Sequence, residues 1–126
     1  MKNDPTPSGW IRKFRLAFSG IFWAIRTETS FSVHLPLAAI VIAAAALLQF
    51  DQVRWAILWL TIGLVLVAEL LNTALESMAR AVDQEFNVHL KRALDVGSGA
   101  VLVSSMFATV VGVMLFWNPF WAWYAS

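Results

Sequence analysis

Three long stretches of the chain carry no charge: Thr29 to Phe50, Trp55 to Ala68 and Val96 to Ser126. A bilayer core of ~30 Å takes roughly 20 helical residues. The first and third stretches are long enough to cross it, and the second is long enough only if Glu69 lies inside the membrane. Ahead of them, Trp10, Ile11, Phe14, Ala17, Phe18, Ile21, Phe22 and Ile25 recur at helical spacing, while Arg12, Lys13, Arg15 and Ser19 fall largely elsewhere. That pattern predicts an amphipathic helix on the membrane surface, its basic side chains toward anionic headgroups. The expected fold is an all-α membrane protein: an N-terminal amphipathic surface helix followed by three transmembrane helices.

In chain order, residues 1–8 with Pro5 and Pro7 read as a mobile tail. The surface helix covers about 9–27 and is ended by Arg26-Thr27-Glu28-Thr29. The rest forms a single membrane domain with spans at about 31–50, 55–83 and 91–117. Pro36 is tolerated in the first turns of its span, Asp51 to Arg54 make a tight turn, and Asp83 to Leu94 form the one long polar stretch outside the N-terminus. The last helix is expected to end near Asn118-Pro119. Residues 118–126, with Phe120, Trp121, Trp123 and Tyr124 beside Phe116 and Trp117, then form an aromatic girdle at the interface.

Composition strengthens this picture. Of 126 residues, 60% are hydrophobic and 13% charged, too apolar for an ordinary soluble domain. A soluble bundle would need polar faces that these segments do not have. Arg12, Lys13 and Arg15 interrupt the first apolar run, so no cleaved signal peptide is expected. The chain has no cysteine, which excludes disulfides, thiolate catalysis and zinc-thiolate sites. Lys2, Arg12, Lys13, Arg15, Arg26, Arg80, Lys91 and Arg92 fall on one side of the expected topology and only Arg54 on the other. The excess puts the N-terminus and the 77–94 loop in the cytoplasm, with the C-terminus outside.

The chemistry concentrates in Glu69-Leu70-Leu71-Asn72-Thr73-Ala74-Leu75-Glu76. Spacings of three and four put Glu69, Asn72 and Glu76 on one helix stripe, continued by Arg80 and Asp83. Counted from the outer interface near Arg54, Glu69 lies roughly 22 Å in and Glu76 roughly 33 Å in. Burial at the first depth costs a few kcal/mol and marks a functional group, the setting in which a glutamate becomes a general base near neutral pH. Glu76 has water and soluble ligands within reach, and Glu28 emerges at the same surface. Oxygen ligands of this kind suit magnesium, which takes one or two protein carboxylates together with substrate phosphates. Arg80, Lys91 and Arg92 supply positive charge suited to a nucleotide. Gly97-Ser98-Gly99 lacks the lysine of a phosphate-binding loop and reads as a close-packing patch. The alternative for the stripe is structural: Glu69 and Asn72 as interhelical hydrogen-bond partners, Glu76 and Arg80 as a surface pair. His34 reads as an interfacial or hydrogen-bonded residue and His89 as a solvated loop residue. Trp23, near the site, is placed to touch lipid.

Glu69-x-x-Asn72-Thr73-Ala74-Leu75-Glu76, preceded by Glu28-x-x-Phe31 and followed by Asp95-Val96-Gly97-Ser98-Gly99-Ala100-Val101, resembles the small prokaryotic diacylglycerol kinase family, which includes undecaprenol kinases. The likeness covers roughly Arg12 to Met114. It implies a homotrimer of three-span subunits that transfers the γ-phosphate of ATP to a lipid hydroxyl. By that resemblance Glu69 is the general base, Asn72 orients the site, and Glu28 and Glu76 bind the Mg2+ that holds ATP. Glu85, Asn87 and Asp95, with Lys91 and Arg80, belong to the nucleotide end, and Glu69, Trp23 and Ser98 to the lipid. A subunit interface would enclose a carboxylate that three helices of one chain can hardly cover. Two positions depart from the pattern: Arg80 stands where the family usually has Asp, and Leu94 where it usually has Lys. Arg80 would then supply positive charge from the other side of the site, with Asp83 supplying the acid. The implied activity is a lipid kinase acting on diacylglycerol or undecaprenol, with no nucleic acid partner. The alternatives are a weakly active relative that regulates by binding nucleotide or lipid, and a transporter or assembly subunit in which Glu69 serves an ion path.

Overall fold

The computed structural model describes residues 6–82 and 87–126, and among these it is all helical. Four helices follow in order: α1, Pro7–Thr27; α2, Phe31–Leu47; α3, Gln52–Val82; and α4, Val88–Tyr124. The chain turns by 103° between α1 and α2. α3 and α4 pack along one another, whereas α2 meets α3 at far fewer places and α1 touches α2 and α3 only locally. α3 and α4 are long and apolar enough to cross a membrane. At 17 residues, α2 spans about 25 Å, the short end of what a crossing takes.

Side-chain caps account for most differences from the expected boundaries. α1 begins at Pro7, so Ser8 is helical rather than part of a tail: the Thr6 side chain accepts from the Gly9 N–H at 3.2 Å, and proline suits a first turn. Residues 1–5 lie outside the described residues. α2 ends at Leu47, short of residue 50, and Gln49 takes a left-handed φ of 54° that turns the chain. The expected Asp51–Arg54 turn is instead the start of α3, because Asp51 Oδ1 accepts from the Arg54 N–H at 2.8 Å. That bond and the Arg54 guanidinium hold the Asp51 carboxyl below the usual carboxylate range. α4 starts at Val88 because Asn87 accepts from His89 N and Leu90 N at 2.9 and 3.3 Å.

At its other end α4 runs through Pro119 to Tyr124 instead of stopping at Asn118-Pro119. Proline has no N–H to give the carbonyl four residues earlier, which is that of Leu115. Arg54 Nε of α3 donates to this Leu115 carbonyl at 3.4 Å, so the orphaned acceptor is met from a neighbouring helix. The same end holds the hydrophobic core of Ala45, Phe50, Leu58 and Leu115. Phe50 sits 6.1 Å from Trp55 and 4.7 Å from Phe116, centroid to centroid.

Beyond that cluster little apolar surface is buried. Ile40, Leu64, Leu71, Leu102, Phe107 and Met114 are all exposed, a distribution that only an apolar surrounding makes favourable. At the opposite end α4 closes on α3 at Gly97. A Cβ there would stand 2.6 Å from Asn72 Oδ1 and 3.0 Å from Leu75 Cδ1.

Two stability outcomes follow. Arg54→Met is expected to lower the thermal midpoint in bicelles, since an unpartnered buried carbonyl costs about 1–3 kcal/mol; a melt matching that of the parent would show that α4 tolerates Pro119 unaided. Gly97→Ala should destabilise by a similar amount because Asn72 must move. Gly99→Ala, with nothing within 4 Å of the added Cβ, should be neutral or gain up to about 1 kcal/mol. Equal effects of the two alanines would refute the close approach at Gly97.

Candidate functional site

The polar stripe of α3 lies on one face and is graded by access to solvent. The Glu69 side chain is 4% exposed, that of Glu76 32% and that of Arg80 67%. Thr73 Oγ1 donates to the Glu69 backbone carbonyl at 2.9 Å, a bond within the helix that leaves the Glu69 carboxylate free for other partners. Asn72 Nδ2 donates to Glu76 Oε1 at 3.1 Å. Arg80 Nη2 stands 3.9 Å from Glu76 Oε2. At that length and exposure the ion pair adds little stability, but it puts a guanidinium beside the accessible carboxylate oxygen.

The buried carboxylate has a partner that the sequence reading did not give it. His34 Nε2 of α2 lies 3.4 Å from Glu69 Oε1. His34 is the fourth residue of α2, so it and Glu69 sit roughly 5 Å inside the end at which α1 and α2 meet. One signal was available: His34 is the only titratable side chain in the otherwise uncharged run from Thr29 to Phe50. Its partner was not, because the pairing depends on how α2 folds back onto α3. The expectation that one chain could not enclose Glu69 is corrected as well. Glu69 is 3% exposed within the single chain, since the sharp elbow after α1 brings the first turn of α2 over it.

Toward the surface the donors are oxygens. Glu28 caps the C-terminus of α1 through its backbone and is half-buried. Asn72 Oδ1 is buried and has no hydrogen-bond partner, which is an open acceptor beside Glu76. Among the described residues no three ligating side chains converge. Magnesium needs fewer, because substrate phosphates and water complete its shell. Glu28, Glu76 and the orphaned Asn72 Oδ1 are oxygen donors of the chemical kind that ion takes.

The remaining candidates divide. Lys91 Nζ pairs with Asp95 Oδ2 at 2.8 Å, so a lysine one turn earlier meets the acid that Leu94 cannot. Asn87 uses its side chain as the cap of α4. Trp23 and Ser98 are exposed, and no hydrogen bond among the described residues ties either to Glu69. Glu85 and Asp83 lie outside the described residues. Between α2, α3 and α4 a cavity of about 500 Å³ runs away from His34, walled by Val41, Ile62, Leu66, Ala108 and Val113 among others. It is apolar along its length, and His34 stands at its polar end.

Known proteins resemble this chain over most of its length. The family model for prokaryotic diacylglycerol kinase matches residues 15–116. A diacylglycerol kinase of Synechocystis sp. is 40% identical over 107 residues, 84% of this chain; the match spans 61% of that relative's length. An undecaprenol kinase of Bacillus subtilis is 31% identical over 85% of this chain and 87% of its own. A diacylglycerol kinase of Escherichia coli is 28% identical over 95% and 99%. With the matched region holding the α3 stripe, the elbow at Glu28 and the start of α4, the chain belongs to the prokaryotic diacylglycerol kinase family.

Proposed function

We propose that this protein is an integral-membrane lipid kinase that transfers the γ-phosphate of ATP to the hydroxyl of a membrane lipid, diacylglycerol or undecaprenol. One observation carries the reading: a carboxylate shielded from water, Glu69, sits about two helical turns from a partly exposed carboxylate paired with an amide and a guanidinium. The buried group meets a lipid, and the accessible one meets a soluble nucleotide.

In this mechanism the lipid hydroxyl enters beside Glu69, whose carboxylate accepts its proton as the lipid oxygen attacks the γ-phosphorus. The bond from the γ-phosphorus to the β,γ-bridging oxygen breaks and ADP leaves. Asn72 fixes Glu76 through its amide N–H. Glu28 and Glu76 would hold Mg2+, which when bound neutralises phosphate charge. Arg80 and Lys91 would add positive charge at the nucleotide end, to which we also assign Glu85, Asn87 and Asp95, and we assign Trp23 and Ser98 to lipid contact.

We further place the protein in the bacterial inner membrane as a homotrimer, with α2 as a third span, the N-terminus cytoplasmic and the C-terminus outside. The eight basic residues on the α1 side support the orientation. A shallow face of Leu64, Ala68, Gly99, Ala100 and Val103 supports close helix packing between subunits.

The test is purified protein with labelled ATP, magnesium and each lipid in turn. Labelled lipid is expected with at least one substrate, and Glu69→Gln should lose at least a hundredfold in kcat. Glu28→Gln should need more magnesium for half-maximal rate. Absence of label on both lipids from a folded protein would remove the kinase reading and favour a nucleotide- or lipid-binding regulator. Arg80→Ala is expected to raise KM for ATP several-fold with smaller change in kcat. Unchanged kinetics in that variant would show that Arg80 does not serve the nucleotide.

A further inference from the structure

Glu69 needs more than burial to act as a base: its carboxylate must be aimed at the proton it takes, and the groups that contact that carboxylate set the aim. The Thr73 hydroxyl serves the backbone carbonyl of Glu69 and not its carboxylate. Asn72 is turned to Glu76, and Arg80 stands at Glu76 too. His34 is the one described side chain in ion-pair range of the Glu69 carboxylate.

We propose that His34 is a positioning residue for the phosphoryl transfer: Nε2 faces Glu69 Oε1, fixes the orientation of the carboxylate, and leaves Oε2 free for the lipid hydroxyl. This rests on the kinase reading above and adds the group that acts through its base. The 3.4 Å separation is just beyond the usual ~2.7–3.2 Å of an N–H···O bond, and such contacts tighten when substrate binds. His34 also occupies the polar end of the apolar cavity between α2, α3 and α4. A lipid chain lying in that cavity would have its hydroxyl end directed toward the His34–Glu69 pair.

The surroundings make the pair self-contained. From α3 the ionisable group facing His34 is Glu69. The α4 residues on the cavity wall offer Ser105 and Thr109, whose hydroxyls do not titrate in the working range. α1 contributes no ion pair to either residue among those described. The Thr109 hydroxyl donates to Ser105 O within its own helix.

Proton accounting is direct. The lipid O–H bond breaks, its proton goes to Glu69 Oε2, the new O–P bond forms, and His34 keeps its proton throughout. The bond from the γ-phosphorus to the β,γ-bridging oxygen breaks, ADP leaves, and the proton on Glu69 returns to solvent.

The experiment compares the full-length wild type with His34→Ala and His34→Gln in bicelles, measuring kcat and KM for ATP. His34→Ala is expected to lower kcat at least tenfold with KM for ATP within twofold. His34→Gln keeps an N–H donor for the same oxygen and should recover part of kcat. Should His34→Ala fail to fold, His34→Gln carries the test: its shorter reach should still lower kcat several-fold with KM for ATP unchanged. Wild-type kcat in either folded variant would overturn the proposal while leaving the kinase reading intact. A wild type that labels no lipid would overturn both.

Discussion

An isolated carboxylate in a low-dielectric setting is costly enough that proteins neutralise it, pair it or use it. Glu69 is placed in that position by its own chain, and the folded arrangement around it follows from that cost. α2 must begin where it does so that His34 can face the carboxylate. The elbow after α1 must be sharp so that the first turn of α2 lies over α3. α4 must come close at Gly97, where the Asn72 side chain fills the space that a methyl group would take. The elbow buries Ala24 and Phe31 as well, while the larger hydrophobic cluster gathers at the other end of the molecule.

The two ends therefore divide the work of stability and chemistry. At the Phe50 end, aromatic packing and the Arg54 bond to Leu115 fix α2, α3 and α4 together. At the Glu69 end the helices are held by few contacts, several of them polar, and an acceptor on Asn72 is left without a partner. Unsatisfied acceptors are rare in folded proteins and tend to mark places reserved for something else. In the proposed mechanism this polar stripe is arranged in advance and meets a lipid at one end and a nucleotide at the other.

Much of this was legible in the sequence. Uncharged length gave the membrane helices, and the three- and four-residue spacing of Glu69, Asn72 and Glu76 gave the stripe and its gradient, because helix periodicity is a local property. Boundaries were less legible. Asp51 and Asn87 extend α3 and α4 through side-chain caps, and Pro119 ends nothing because Arg54, distant in sequence, meets the carbonyl it orphans. The His34–Glu69 pair was least legible. It joins residues of two helices whose meeting depends on the angle of a turn, and a lone histidine in an apolar run carries no sign of its partner. The enclosure of Glu69 by one chain was missed for the same reason.

The 103° elbow between α1 and α2 has a mechanical consequence. α1 is 21 residues long, a lever of about 31 Å. Glu28 sits at its fulcrum, with His34 under two turns beyond. A rocking of α1 by about 10° would carry its far tip about 5 Å while hardly displacing the fulcrum. The surface helix can thus follow undulations of the lipid headgroups, and the side chains that do chemistry stay where the least movement reaches them.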